Sequence, residues 1–163
     1  MRFETTATRI WKKLTRDERL AAAEAFWKET PPELGGSALG AIVRSLKLRP
    51  QVARSLPVER RTAALASVLE PGESVAGGLL IALHLANRRP LLGAFLDALG
   101  LPHEDGLLKE EADALPAPTP DAVAGAAKGL LGSFSEHEVE TYLNTLWLQD
   151  SERWAGLERL AES

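Results

Sequence analysis

Three histidines carry most of the acid–base potential of this chain. His84 lies in the apolar run "LLIALHLAN", His103 in "PHED" and His137 in "SEHEVE". Histidine titrates near neutral pH and ligates metals through either ring nitrogen. His84 sits where an apolar helix is expected, which makes it a core histidine bonded to a backbone carbonyl. His103 and His137 stand beside carboxylates, the company a metal ligand keeps. Neither belongs to a pair of histidines four residues apart, the spacing that puts two ligands on one helix face. Both are read as solvated residues in first helical turns, where Glu and Asp complement the dipole. No metal or other cofactor is expected.

Nucleophiles are equally sparse. Ser37 in "GGSALG" and Ser133 in "GLLGSF" have glycine neighbours. They lie inside helical patterns, not at the strand-to-helix turn that a G-x-S-x-G nucleophile needs. There is no P-loop and no dinucleotide fingerprint. Cysteine is absent, which removes thiol nucleophiles, disulfides and Cys-based zinc sites together. No catalytic residue nominates itself, so an enzyme of unidentifiable class is only an alternative.

Charge is more informative. Residues 1–90 hold 15 Lys and Arg against 9 Asp and Glu, a balance of +6; residues 91–163 hold 4 against 14, a balance of −10. The net −4 therefore hides a strongly dipolar chain. Arg44, Lys47, Arg49, Arg54, Arg60 and Arg61 fall within 18 residues, with Glu59 as the one carboxylate among them. Arg88 and Arg89 recur near an equivalent corner further on. Four tryptophans, Trp11, Trp27, Trp147 and Trp154, lie near the two termini and are expected to cover the ends of the core. Phe26 and Trp27 are adjacent, so both cannot face inward.

The elements that position these groups follow from an internal repeat. "TPPELGGSALGAIVRSLKLRP" (30–50) and "EPGESVAGGLLIALHLANRRP" (70–90) align at an offset of 40, pairing Pro31 with Pro71, Glu33 with Glu73, Leu39 with Leu79, Arg49 with Arg89 and Pro50 with Pro90. A weaker third copy matches "ESVAG" to "DAVAG" (121–125). A second element, "LTRDER", "LPVERR", "LPHEDG" and "LQDSER", recurs at spacings of 42, 45 and 47. It carries helix-start chemistry: Thr15 with Glu18 can form a capping box, and Pro57 and Pro102 suit a first helical position. The pattern predicts helices over 15–29, 33–47 and 49–56, then 57–69, 73–86 and 89–99, then 102–113, 120–134 and 136–148. A helix near 6–13 opens the series and one over 150–161 caps it. Helix 73–86 is apolar almost all round and is expected at the centre. Gly77 and Gly78, with Gly35, Gly36, Gly125, Gly129 and Gly132, are expected to admit close helix neighbours. The run 115–120, "LPAPTP", is the expected exposed loop.

A period of 40 to 47 residues with two or three helices resembles the α-solenoids of the armadillo and HEAT kind, and "LPVERRTAALASVL" is similar to the first helix of a HEAT repeat. The resemblance is to an architecture and covers most of the chain. It implies one all-α domain, a right-handed αα-superhelix of about three degenerate units (15–56, 57–99 and 102–148). An irregular multi-helix bundle is the alternative. Equivalent corners of a solenoid line up on one edge, so Arg44, Lys47, Arg49, Arg54, Arg88 and Arg89 are expected to form a basic ridge.

The expected function is a non-enzymatic interaction module that binds a protein partner, or a second copy of itself, through that ridge. Nucleic acid is the alternative ligand, although the acidic half opposes it. The N-terminal "MRFETTATRIWKK" has no apolar signal core, and a soluble cytoplasmic protein without membrane contact is expected.

Overall fold

The computed structural model describes residues 2–29 and 32–161. Among them are ten α-helices, two short 3-10 helices and one small hairpin, so the chain is mostly helical. It divides into two compact units: Thr6–Asn87, and residues 2–5 with 88–161. Thr30 and Pro31, named in the repeat, lie outside the described residues.

The unit Thr6–Asn87 contains α1 (Ala7–Lys13), α2 (Arg16–Glu29), α3 (Pro32–Leu46), α4 (Pro50–Ser55), α5 (Val58–Ser67) and α6 (Glu73–Asn87). The expected capping box forms before α2. The Thr15 N–H donates to Glu18 Oε1 (2.9 Å) and the Glu18 N–H to Thr15 Oγ1 (3.1 Å), satisfying two N-terminal donors reciprocally. Pro50 opens α4, where its missing N–H removes no helical bond.

Helix α6 is the centre of this unit and packs against α1, α2 and α3. Val75, Leu79, Leu80, Leu83 and His84 are buried along it. At Gly78 an added Cβ would lie 2.6 Å from Leu34 Cδ2 and 3.2 Å from Phe26 Cε2, so glycine there sets the approach of α2 and α3. Trp11 is fully buried, with its indole N–H donating to the Val68 carbonyl at 2.8 Å. Phe26 is buried and Trp27 only half-buried, meeting edge-on at 5.4 Å.

The second unit contains α7 (Arg89–Ala98), β1 (His103–Glu104), β2 (Leu107–Leu108), a 3-10 turn (Glu110–Ala114), α8 (Pro120–Leu130), α9 (Glu136–Gln149), a 3-10 turn (Ala155–Leu157) and α10 (Glu158–Ala161). Thr119 and Ser135 cap α8 and α9 with their hydroxyls. The core gathers Leu91, Phe95, Val123, Leu143 and Leu157, with the Phe95 ring 5.8 Å from Tyr142 and 5.5 Å from Trp154. Burial pushes the Tyr142 hydroxyl pKa well up. Residues 2–5 strap onto α9: the Glu4 N–H donates to Asn144 Oδ1 at 2.6 Å, and Phe3 lies 6.0 Å from Trp147.

Three expectations fail here. Residues 102–113 are not a helix but a hairpin and a 3-10 turn. Asp105 and Gly106 both take positive φ, 50° and 89°, the two-residue turn that Asp-Gly favours between antiparallel strands. Residues 150–161 do not form one helix; turns and a 3-10 segment precede α10. Gly156 passes directly over the Pro120 carbonyl, where no side chain would fit. Close glycine contact also does not recur. A Cβ at Gly36, Gly77, Gly125 or Gly129 would meet nothing within 4 Å, because these positions face away from the packed seams.

Candidate functional site

The basic segment 44–61 occupies the end of α3, all of α4 and the start of α5. Arg44 is exposed in the last turn of α3. Lys47 follows it in the left-handed conformation (φ 54°), where glycine is the usual helix terminator. Arg49 caps α4, and Arg54 and Arg60 are exposed on α4 and α5. Ala53 is the sole buried residue of α4. Arg61 differs from its neighbours. Its Nη2 donates to the carbonyls of Arg54 (3.2 Å) and Leu56 (3.3 Å), and its guanidinium stacks 5.2 Å from the Trp27 ring. It ties α5 to the end of α4 and is a structural cation.

Large apolar side chains stand among these charges. Leu46, Val52 and Val58 are exposed, Val58 at 57%. A single exposed leucine is ordinary, but three within this segment beside five exposed cations make a mixed apolar and basic surface. Composition revealed the charge; the exposure of the apolar residues needed the fold.

Two open grooves flank the outer face of α3. One, about 570 Å³, is lined by Lys12, Arg44, Ser45, Leu69 and Glu70. The other, about 590 Å³, is lined by Glu33, Ser37, Gly40, Arg44 and Glu73. Arg44 borders both, with Nη1 reaching to the Gly40 side of its helix. The carboxylates have work of their own. Glu70 pairs with Lys12 at 2.6 Å, and the lysine's hydrogen bond and charge lower its pKa. Glu73 accepts the N–H groups of Ala7 and Thr8, both at 2.9 Å. Burial pushes the Glu73 carboxyl up, but these bonds at the start of α1 outweigh it and leave the pKa below its ordinary value.

The remaining expected cations are placed differently. Arg88 is buried, at 8%, and departs from the expected open ridge. It precedes α7 as its N-cap residue, so the chain turn carries it inward. Arg89 is half-buried, with Nη1 donating to the Asp105 carbonyl at 3.1 Å and Nε lying 3.8 Å from the Asp105 carboxylate. It braces the hairpin.

The three histidines lie on different elements. His103 is not the solvated helix-start residue expected from "PHED". Its Nδ1 accepts the Gly106 N–H at 3.0 Å, so Nε2 carries the proton and donates to Asp97 Oδ1 at 2.6 Å. An Asp–His pair is the geometry of an acid–base catalyst, yet both ring nitrogens here are committed to holding the turn. His84 is buried in α6 and His137 is exposed in the first turn of α9. Neither groove is lined by a histidine. Among the described residues no three His, Asp or Glu side chains gather as a metal site, and no single helix is long and apolar enough to cross a membrane.

No protein-family model, curated protein or solved structure matches this chain.

Proposed function

We propose that this chain is a non-enzymatic interaction module that binds an acidic, leucine-bearing protein segment through Arg44, Lys47, Arg49, Arg54 and Arg60. The observation that carries this reading is the coincidence of five exposed cations with Leu46, Val52 and Val58 on α3–α5. Cations steer and select an acidic partner, and the apolar side chains supply the area that charge alone does not. Arg88 and Arg89 are excluded from the contact set by their burial and by Asp105. The αα-superhelical repeat and the single-domain organisation belong to the same proposal. The likeness of α3 and α6 supports them: each has 15 residues and a glutamate in its first turn.

The test is a fluorescence-anisotropy titration of the full chain with labelled acidic peptides carrying leucines. A basic counterpart and a duplex DNA serve as competitors. The acidic peptide binds, salt weakens it, and Arg44→Glu with Arg49→Glu and Arg54→Glu lowers affinity ~10-fold or more. Preference for the DNA, with a steep salt slope, would replace this reading by the nucleic-acid one. Equal binding by the triple variant would remove the basic surface from the function.

A further inference from the structure

We infer that the acidic segment bound by the α3–α5 surface is the hairpin segment 103–115 of a second copy of this chain. The inference rests on the proposed function and names its partner. Of the nine large hydrophobic residues exposed among the described residues, three lie on the basic segment (Leu46, Val52, Val58). Three more, Leu107, Leu108 and Leu115, lie on the hairpin and the 3-10 turn after it. Six of nine therefore sit on two short stretches, and those stretches carry opposite charge. Residues 104–113 hold Glu104, Asp105, Glu110, Glu111 and Asp113 against Lys109 alone, and all of these are exposed. The division of charge extends to the units. Residues 6–87 hold 12 Lys and Arg against 8 Asp and Glu (+4), while the rest of the sequence, residues 1–5 and 88–163, holds 7 against 15 (−8).

The hairpin is built as a ligand that needs little ordering. His103 holds Asp97 and Gly106, Arg89 holds Asp105, the Lys109 N–H donates to the Pro102 carbonyl at 3.0 Å, and Arg153 lies 3.6 Å from Asp113. Leu107 and Leu108 are thus fixed in solvent. A preorganised ligand forfeits less entropy on binding. Glu104, Glu110 and Glu111 provide the exposed acidic side chains to meet Arg44, Arg49 and Arg54. Because the two surfaces differ, the contact is heterologous. Two copies that exchange both contacts close as a two-fold dimer, and otherwise the contact grows into a ring or an open series. Two segments of this size give a small interface, in the weak and transient class below roughly 1,200 Å².

The experiment is sedimentation of the full chain over a concentration series reaching hundreds of micromolar, at low and high salt. It uses two charge-reversed variants: Arg44→Glu/Arg49→Glu/Arg54→Glu, and Glu104→Lys/Glu110→Lys/Glu111→Lys. None of the six side chains is in the core, and circular dichroism checks that both variants fold. The wild type associates at low salt, as a dimer or a larger species, and less so at high salt. Each variant alone loses association by ~10-fold or more, because like charges then oppose. Mixing the variants restores it, since each reversed surface meets a reversed partner. A wild type that stays monomeric throughout overturns the inference. So does persistence of association in either variant, or a mixture that remains unassociated. If acidic peptides bind while the chain stays monomeric, the second-copy inference falls and the proposed function stands. If the peptides do not bind and association survives in the arginine variant, both fall.

Discussion

Segments 44–61 and 103–115 both keep large apolar side chains in solvent, but they hold them by opposite means. The basic segment rests lightly on its unit. Helix α4 contributes Ala53 to the core and nothing else, and its C-terminal end is tied down through carbonyls bonded to Arg61. Its cations are long side chains with many rotamers. The acidic segment is pinned by polar contacts on both sides of a two-residue turn, and its leucines have little freedom to move. Opening free energy follows local burial and bonding, so the basic surface is the adaptable partner and the hairpin the rigid one. Substitutions at the two places should therefore fail differently.

The largest effect is expected at Gly106. Its φ of 89° is a glycine conformation, and a Cβ there would lie 2.7 Å from Leu92 Cβ and 3.3 Å from the Arg89 carbonyl. Gly106→Val combines backbone strain with overpacking against α7. It should cost about 3 kcal/mol or more by urea denaturation. A cost below ~1 kcal/mol would show that the turn is not pinned.

Ala53→Asp is the matching attack on α4. A buried, unpaired carboxylate would ordinarily cost several kcal/mol. Here the short helix can release its one buried side chain, which caps the loss at about 1–2 kcal/mol. Amide exchange at Leu56, whose N–H donates to Ala53 at 3.4 Å, should speed up while Leu80 and Leu83 in α6 stay protected. Global destabilisation equal to that of Gly106→Val would erase the distinction between the two segments.

The same contrast explains what could be read from the sequence. The helices of the basic unit announced themselves through local chemistry: Thr15 with Glu18, Pro50, and the apolar run of α6. So did the cation cluster itself. The hairpin was hidden behind Pro102 and a run of carboxylates, which imitate a helix start. Asp105-Gly106 was the contrary signal, and the turn is held by Arg89 and, through His103, by Asp97, which only the fold brings near. The inward turn of Arg88 is tertiary in the same way. Alignment of Arg49 with Arg89 could not foresee that one residue would cap a helix in solvent while the other met Asp105. The close approach of Gly156 to Pro120, positions 36 apart, is likewise a contact that only the fold shows.

Acid should loosen the basic unit in part through Glu73, beside the Glu70–Lys12 pair. Glu73 bridges α6 to the start of α1, and its folded pKa lies below the ordinary 4.5. A lowered folded pKa means stability that is fully present above pH 4.5 and lost as pH falls through the folded value. The group is exposed, so the contribution is held below about 1 kcal/mol. Glu73→Gln should therefore reduce stability modestly at neutral pH and diminish this unit's response between pH 4.5 and lower values. An unchanged acid response in Glu73→Gln would place the titration elsewhere.

The smallest effect is the most discriminating, because one substitution should change sign between α3, which leads into the basic segment, and the hairpin. Gly36 lies on the outer face of α3 with open space where a Cβ would go, whereas Gly106 has neither the space nor the φ. Gly36→Ala should gain about 0.5–1 kcal/mol from helix propensity alone, and Gly106→Ala should lose more than that. Gly36 also lines the groove shared by Arg44. If the acidic partner runs along that groove, the added methyl should weaken peptide binding while it raises the urea midpoint. If binding is unchanged, the partner lies over α4 and α5, and Val52 and Val58 become the residues to substitute next.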